Sequence, residues 1–191
     1  MTRRDKNKSS DKKEGGIGET ISTVLWAVAI ALVLRTFIFQ PFHIPSGSML
    51  PGLMKGDYII TSKYSVGYGR HAATPFPFPV KSGRLFEREP ARGDVLVFRP
   101  EGSDKNFIKR LIGLPGDTVQ MKAGLLHLNG EPVKVEDDGT FVEEMKAQGP
   151  QRLRPRCENG PVGEGALCTK SRMTETLPNG VSHDILNITR Q

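Results

Sequence analysis

The sequence predicts a mainly β domain that follows a single N-terminal transmembrane helix. Three observations lead to this fold class. A run of apolar residues near the N-terminus is long enough to cross a bilayer. The 191 residues include 21 glycines and 14 prolines, which favours strands joined by turns over a helical bundle. Short apolar stretches bounded by turn residues then recur along the rest of the chain.

The apolar run separates a short tail from the rest of the chain. Residues 1–16 form a basic tail, with six lysine and arginine side chains against three acidic ones. Residues 17–39 form the predicted transmembrane anchor, with Glu19 and Arg35 near its two ends, where charged side chains can reach the interface. Because more positive charge precedes the run than follows it, we expect the tail in the cytoplasm. A cleaved signal peptide is the alternative, but no small-x-small cleavage motif precedes Gln40.

Residues 40–191 form the third region, a β-rich domain that we expect on the outer side of the membrane. Alternating and apolar stretches predict strands at residues 58–61, 95–98 and 106–112. The dipeptides Ala123-Gly124 and Asn129-Gly130 predict two hairpin turns. Residues 145–172 are polar and predicted to be rich in turns, and residues 173–189 can hold one or two further strands.

Composition limits the possible cofactors and partners. The two cysteines, Cys157 and Cys168, predict a disulfide in an exported domain, although two free thiols stay open. Two cysteines and four scattered histidines are too few for a metal site, so we predict no metal and no other cofactor. The basic tail lacks interleaved aromatic residues, so we predict no nucleic-acid partner.

Two separated stretches carry the candidate chemistry. Ser46 and Ser48 lie between two prolines just after the predicted anchor, and Lys109 lies about sixty residues later among apolar neighbours. A serine hydroxyl needs a nearby base to become a nucleophile, and a lysine can be that base when it is removed from water. The pattern is therefore compatible with a serine/lysine dyad, although an exposed lysine at a strand edge is the simpler reading of Lys109 alone.

Three segments of the chain read Pro-Phe-His-Ile-Pro-Ser-Gly-Ser-Met-Leu-Pro at residues 41–51, Arg-Gly-Asp-Val-Leu-Val-Phe at 92–98 and Phe-Ile-Lys-Arg-Leu-Ile-Gly-Leu-Pro-Gly-Asp at 107–117. They resemble motifs of the bacterial type I signal peptidases, also called leader peptidases. Their order, their spacing and the single preceding anchor also match. The resemblance implies a β-rich signal-peptidase-like catalytic domain, in a serine endopeptidase that removes signal peptides from exported preproteins. It also implies a single-pass protein of the bacterial cytoplasmic (inner) membrane, with the lipid bilayer as a second partner.

The resemblance also implies a role for each matching residue. Ser48 is the expected nucleophile and Lys109 the expected general base. Ser46 would offer its hydroxyl, together with the Ser48 backbone N–H, to the oxyanion. Six residues would line shallow apolar pockets that accept small substrate side chains: Phe42, Ile44, Met49, Leu53, Phe107 and Ile108.

One motif of the family has no counterpart in the sequence. Its form is Gly-Asp-Asn-Arg-Asp-x-Ser-x-Asp-Ser-Arg, and nothing in residues 136–191 matches it. We therefore expect a domain that is truncated at its C-terminus and whose Lys109 is more open to water. The alternative function is then a catalytically idle, truncated homologue that binds exported chains without cleaving them.

Overall fold

The first element is a long apolar helix. The computed structural model describes residues 16–69, 72 and 83–187. Helix α1, Ile17–Val33, is continued by a π-helical turn, Leu34–Ile38, and none of its side chains is buried. The 22 residues Ile17–Ile38 are long and apolar enough to cross a membrane. The predicted helix is confirmed, but it ends one residue early because Phe39 begins the first strand. Residues 1–15 of the basic tail lie outside the described residues.

Two separate antiparallel hairpins follow the helix in the chain. Strand β1, Phe39–His43, pairs with β2, Tyr58–Ser62. Strand β3, Val95–Phe98, pairs with β4, Phe107–Arg110. The three strands predicted around these positions are confirmed, with β4 shorter than expected. The Phe/Pro-rich residues 73–80, between β2 and β3, lie outside the described residues.

A three-stranded sheet contains both hairpin turns that the sequence predicts. Strand β5, Val119–Lys122, pairs with β6, Leu125–Leu128, which pairs with the short β7, Glu131–Pro132. Both turn dipeptides, Ala123-Gly124 and Asn129-Gly130, have positive φ at each residue. Such turns match the twist of the flanking strands. Both predictions are therefore confirmed.

The longest strands form the last sheet, in the order β10-β9-β8. They are β8, Lys134–Glu144, β9, Leu167–Thr176, and β10, Ser182–Asn187. Residues 145–172 are predicted to be rich in turns, but the end of this region is a strand, because β9 already begins at Leu167. The polar stretch at the start of β9 is stabilised as a strand by its pairing with β8, from Glu144↔Leu167 to Thr140↔Ser171.

The hydrophobic core is small and lies beside the sheet formed by β5, β6 and β7. Leu126, Leu128, Val133 and Leu177 are buried together, and Ile112 packs against them. A disulfide joins Cys157 to Cys168, so the two thiols are not free. Since Cys168 is fully buried in β9, the bond fixes the preceding loop to the long sheet.

Candidate active site

The two candidate serines lie in a loop whose ends are held together. The Ile44 N–H donates to the Asp57 carbonyl over 2.8 Å, and the Gly56 N–H donates to the Ile44 carbonyl over 2.9 Å. Ile44 is 1% exposed, so a fully buried side chain fixes the start of the loop. We call residues 45–56 the nucleophile loop. Its hydrogen bonds continue the pairing of β1 with β2 and so attach the serines to a regular hairpin.

Lys109 reaches this loop from strand β4. Its Nζ donates a hydrogen bond to the Ser48 Oγ over 2.5 Å, although the two residues are 61 positions apart. The Ser46 Oγ lies 3.4 Å from the Ser48 Oγ. The fold thus brings together the three residues that the sequence singles out, with an amine in hydrogen-bonding contact with a hydroxyl. This arrangement can move a proton from the serine to the lysine if the amine is neutral.

The alternation of β4 sets the direction of the lysine. Phe107 and Lys109 are exposed, whereas Ile108 and Arg110 point inward and are half-buried. The Arg110 guanidinium donates to the Gly93 carbonyl over 2.7 Å. Lys109 is exposed although its neighbours in the sequence are apolar, and Leu111 lies beyond the end of β4.

A groove of about 790 Å³ is lined by residues of both hairpins. Four of the six predicted pocket residues line it: Phe42, Met49, Leu53 and Ile108. Met49 and Ile108 are the direct neighbours of Ser48 and Lys109 in the chain. Ile108 and Lys109 alternate along β4 and face opposite sides of the strand, so the groove lies on the other side of β4 from the Lys109 side chain.

The other two predicted pocket residues lie elsewhere. Ile44 is fully buried below the nucleophile loop and has almost no surface to offer a ligand. Phe107 is 41% exposed, and its ring centre lies 6.2 Å from that of Phe98. Neither contributes to the wall of the groove. A role for them in substrate contact depends on a surface other than this groove.

A polar cluster holds the segments that flank β3 and β4. Arg92 donates to the Ile112 carbonyl over 2.5 Å and to the Asp117 carboxylate over 2.8 Å. Asp117 also accepts hydrogen bonds from the Asn129 side chain over 2.8 Å and from the Leu114 N–H over 2.6 Å. These contacts, with that of Asn129 first, lower the pKa of Asp117 to about 2. The carboxylate is thus ionised at neutral pH and fixes the turn after the strand that carries Lys109.

A second polar contact attaches the helix to the domain. The Lys63 ammonium donates to the carbonyls of Arg35 and Thr36 over 2.8 and 3.2 Å. Tyr68 donates from its hydroxyl to the Phe37 carbonyl over 2.7 Å. Burial, with the nearby Arg35 as a second cause, lowers the pKa of Lys63. The carbonyls of the last helical turn, which have no partner within a helix, are thereby satisfied.

Sequence reasoning missed several residues that shape this site. Lys63 gives no signal in the sequence, and Asn129 is predicted only as part of a turn, because each acts on a residue distant in the chain. Gly149 lies in a region predicted only to be rich in turns, yet it packs close to the nucleophile loop. In the ranges that the structure describes, no three histidine, cysteine, aspartate or glutamate side chains are grouped so that they could hold a metal ion.

Comparison with known proteins supplies the family. The profile of the family described as signal peptidase, peptidase S26, matches residues 17–180. The signal peptidase I of Rickettsia felis is 38% identical over 182 residues, which cover 94% of this chain and 58% of that protein. The signal peptidase I of Rickettsia canadensis is 41% identical over 157 residues, covering 81% of this chain and 51% of that protein. The chain belongs to the S26 family of signal peptidases.

These relatives are longer than the chain. A third one, the signal peptidase I of Rickettsia typhi, is 38% identical over 140 residues, which cover 72% of this chain and 53% of that protein. The chain thus spans a little over half the length of the curated relatives that it matches. The family match over residues 17–180 includes the helix, both hairpins, Ser48 and Lys109.

Proposed function

We propose that the chain is a membrane-anchored serine endopeptidase that removes signal peptides from exported preproteins. The observation that carries the proposal is the hydrogen bond from Lys109 to Ser48, which joins two motifs far apart in the sequence over 2.5 Å. The family membership supports the reaction class. The groove residues Phe42, Met49, Leu53 and Ile108 support an apolar recognition surface formed by the two hairpins that carry the dyad motifs.

The proposed reaction begins with attack of the Ser48 Oγ on the scissile carbonyl carbon. The neutral amine of Lys109 takes the hydroxyl proton, and a tetrahedral oxyanion forms. The Ser46 hydroxyl and the Ser48 N–H would donate hydrogen bonds to that oxyanion. Collapse of the intermediate breaks the peptide bond, and Lys109 returns the proton to the leaving amine. An acyl ester on Ser48 remains, and water hydrolyses it with the same lysine as base.

The exposure of Lys109 sets a condition on this mechanism. A lysine is a base only as the neutral amine, and removal from water favours that form. In the free chain, solvent reaches the side chain. A substrate strand bound directly over Ser48 and Lys109 would exclude that water. We therefore propose that the dyad becomes fully active only when a substrate covers it.

The proposed location is the cytoplasmic membrane, with the N-terminal tail inside and the domain on the outer face. The apolar helix Ile17–Ile38 supports a membrane anchor. The hairpin that follows it directly carries Tyr58 and Ile60, which are 81% and 74% exposed. Exposed aromatic and apolar side chains next to a membrane helix fit contact with the interface. An enzyme held there shares one surface with its membrane-bound substrate, which raises their effective concentration.

The experiment is cleavage of a precursor with an Ala-x-Ala site in detergent micelles. The 191-residue chain and its Ser48→Ala variant are compared, and circular dichroism verifies that both are folded. We expect a single cut after the second alanine by the unsubstituted chain alone. Absence of cleavage by folded protein would reject the proposal and favour the second candidate, a homologue that binds exported chains without cutting them.

A further inference from the structure

A small loop outside the dyad contacts the nucleophile loop. Residues 148–153 form this loop, which we call the support loop. The backbones of Gln148 and Leu153 exchange two hydrogen bonds of 3.1 Å, and the Arg152 N–H donates to the Gly149 carbonyl over 3.1 Å. Gly149 has a φ of 65°, a conformation that side chains other than glycine rarely adopt. The support loop is thus closed by its own backbone and has a defined shape.

The support loop meets the nucleophile loop at two residues. A Cβ atom on Gly149 would lie 3.4 Å from the Pro45 carbonyl oxygen and 3.5 Å from the Lys55 Cβ. The other end of the Lys55 side chain lies beside Gly47, where a Cβ would come within 2.8 Å of the Lys55 Cε. The Lys55 stem therefore fills the space between Gly149 and Gly47. Through Pro45 and Lys55, the support loop contacts the chain on both sides of Ser46.

The support loop is itself attached to the long sheet by a buried network. The Gln148 side-chain amide donates to one carboxylate oxygen of Glu143 over 2.7 Å. The other carboxylate oxygen pairs with Lys170, and the two charged side chains are 5% and 4% exposed. Glu143 lies in β8 and Lys170 in β9. A buried ion pair with both carboxylate oxygens occupied is geometrically rigid, so Gln148 is held at a fixed position relative to the sheet.

We propose that the support loop positions the nucleophile loop, with Gln148 and Gly149 as positioning residues for Ser46 and Ser48. This proposal rests on the proposed function. Its physical basis is that the Ser48 Oγ lies 2.5 Å from the Lys109 Nζ and 3.4 Å from the Ser46 Oγ. Small shifts of Pro45 or Gly47 therefore change both distances. A displacement of about 1 Å in a catalytic group can cost roughly 10²-fold in rate.

The test compares Gly149→Val with Gly160→Val. Both glycines lie between β8 and β9 with positive φ, but Gly160 has no atom within 4 Å of its Cβ position, so it controls for backbone strain. We expect Gly149→Val to lower kcat roughly 10–100-fold with little change in KM. Gly160→Val should leave both constants near those of the unsubstituted chain. A loss of kcat that is equal in the two variants would overturn the proposal.

Hydrogen exchange gives a readout that does not require activity. The Ile44 and Gly56 amides close the ends of the nucleophile loop. Exchange in residues 44–56 should become faster in Gly149→Val and stay unchanged in Gly160→Val. If the unsubstituted chain does not cleave the precursor, the proposed function fails, and this exchange measurement alone decides on positioning. An unchanged exchange rate of residues 44–56 in Gly149→Val would then reject the proposed positioning by the support loop.

A second pair of variants covers the case in which Gly149→Val does not fold. Gln148→Leu keeps the side-chain size but removes the donor to Glu143, and Gln151→Leu is the matched change at an exposed position of the same loop. We expect Gln148→Leu alone to lower kcat and speed exchange in residues 44–56. An effect on the melting temperature without either change would assign the network a structural role and contradict the proposal.

Discussion

The Arg92 guanidinium lies 2.8 Å from the Asp117 carboxylate and joins the segment before β3 to the turn after β4. Since β3 and β4 pair with each other from Val95↔Arg110 onward, the ion pair closes the hairpin at the end next to Arg110. The strand that carries Lys109 is thus fixed by a contact outside the sheet. Both side chains of the pair are 13% exposed, so solvent screens this contact less than a pair on the open surface.

The Asp117 cluster makes stability depend on acid pH. Folding lowers the pKa of Asp117 from 3.8 to about 2, chiefly through the Asn129 side chain and the Leu114 N–H. As the pH falls, the unfolded chain binds this proton first, so the stabilisation is complete above the unfolded pKa and is lost as pH falls through the folded one. We expect Asp117→Asn to be less stable than the unsubstituted chain at neutral pH. The difference in unfolding free energy should narrow as pH falls from 4 towards 2.

Denaturant titrations in detergent at several pH values measure this difference. Asp104→Asn is the control, because Asp104 is exposed and accepts none of the hydrogen bonds in this cluster. Its stability should follow that of the unsubstituted chain at each pH. If the difference in unfolding free energy between Asp117→Asn and the unsubstituted chain stays constant down to pH 2, the carboxylate charge does not contribute to stability.

The dyad makes a prediction about which lysine matters. Ser48→Ala and Lys109→Met should each lower kcat by about 10³-fold or more, because nucleophile and base act as one unit. Their double variant should be no worse than either single one. Lys105→Met, an exposed lysine four residues earlier, should retain nearly full activity. Initial rates on the Ala-x-Ala precursor test this. Equal losses from both lysine substitutions would indicate that positive charge, and not base catalysis, underlies the effect.

Gly93 and Val181 should be energetically coupled. Gly93 has a φ of 97°, and a Cβ there would lie 2.6 Å from the Val181 side chain. Gly93→Ala should therefore cost more stability than the strain of about 1–2 kcal/mol expected for alanine with positive φ. Gly102→Ala, with a φ of 74° and no atom near its Cβ position, should show the strain alone.

A double-mutant cycle of Gly93→Ala and Val181→Ala measures this coupling. Val181→Ala removes the two methyl groups at 2.6 and 3.3 Å from the new Cβ and leaves the Val181 Cβ at 3.0 Å, so the double variant should regain part of the excess loss. We expect a favourable coupling of at least about 0.5 kcal/mol in the free energy of unfolding. If the two substitutions change the free energy of unfolding additively, the backbone at Gly93 moves away from Val181 without a loss of stability.

The disulfide should stabilise the loop between β8 and β9. Cys157 and Cys168 are 11 residues apart, and closing a loop of this size contributes roughly 2–3 kcal/mol. Replacing both by alanine should lower the free energy of unfolding by about that amount. Dithiothreitol should lower the stability of the unsubstituted chain in the same way and leave the double variant unaffected. A double variant as stable as the oxidised chain would contradict the prediction.

The sequence predicts local features of the fold better than distant ones. The Ala123-Gly124 and Asn129-Gly130 turns are predictable because their backbone conformation depends on the residues themselves. The start of β9 is not, because a polar run with Lys170 resembles a loop until its partner is known. That partner, Glu143, lies 27 residues earlier, and only the pairing of β8 with β9 buries the two charges together.

The same limit applies to the candidate site. Ser48 and Lys109 were identified from motifs whose residue types and order are specific, and the structure brings them into contact. The motifs do not reveal the solvent exposure of Lys109, which depends on what packs over β4. They also give no sign that Gly149 touches Pro45, since that contact joins two loops about one hundred residues apart and depends on the shape of both.

The attachment of Lys63 and Tyr68 to the end of the helix has a geometric consequence. Three backbone carbonyls at Arg35, Thr36 and Phe37 are held by side chains of the domain, so the domain does not swivel freely about its anchor. The distance of Ser48 from the end of the helix is then fixed by the molecule. In the proposed reaction, this fixed distance selects the cleavage site, because only a peptide bond at the matching distance from the membrane can meet the nucleophile.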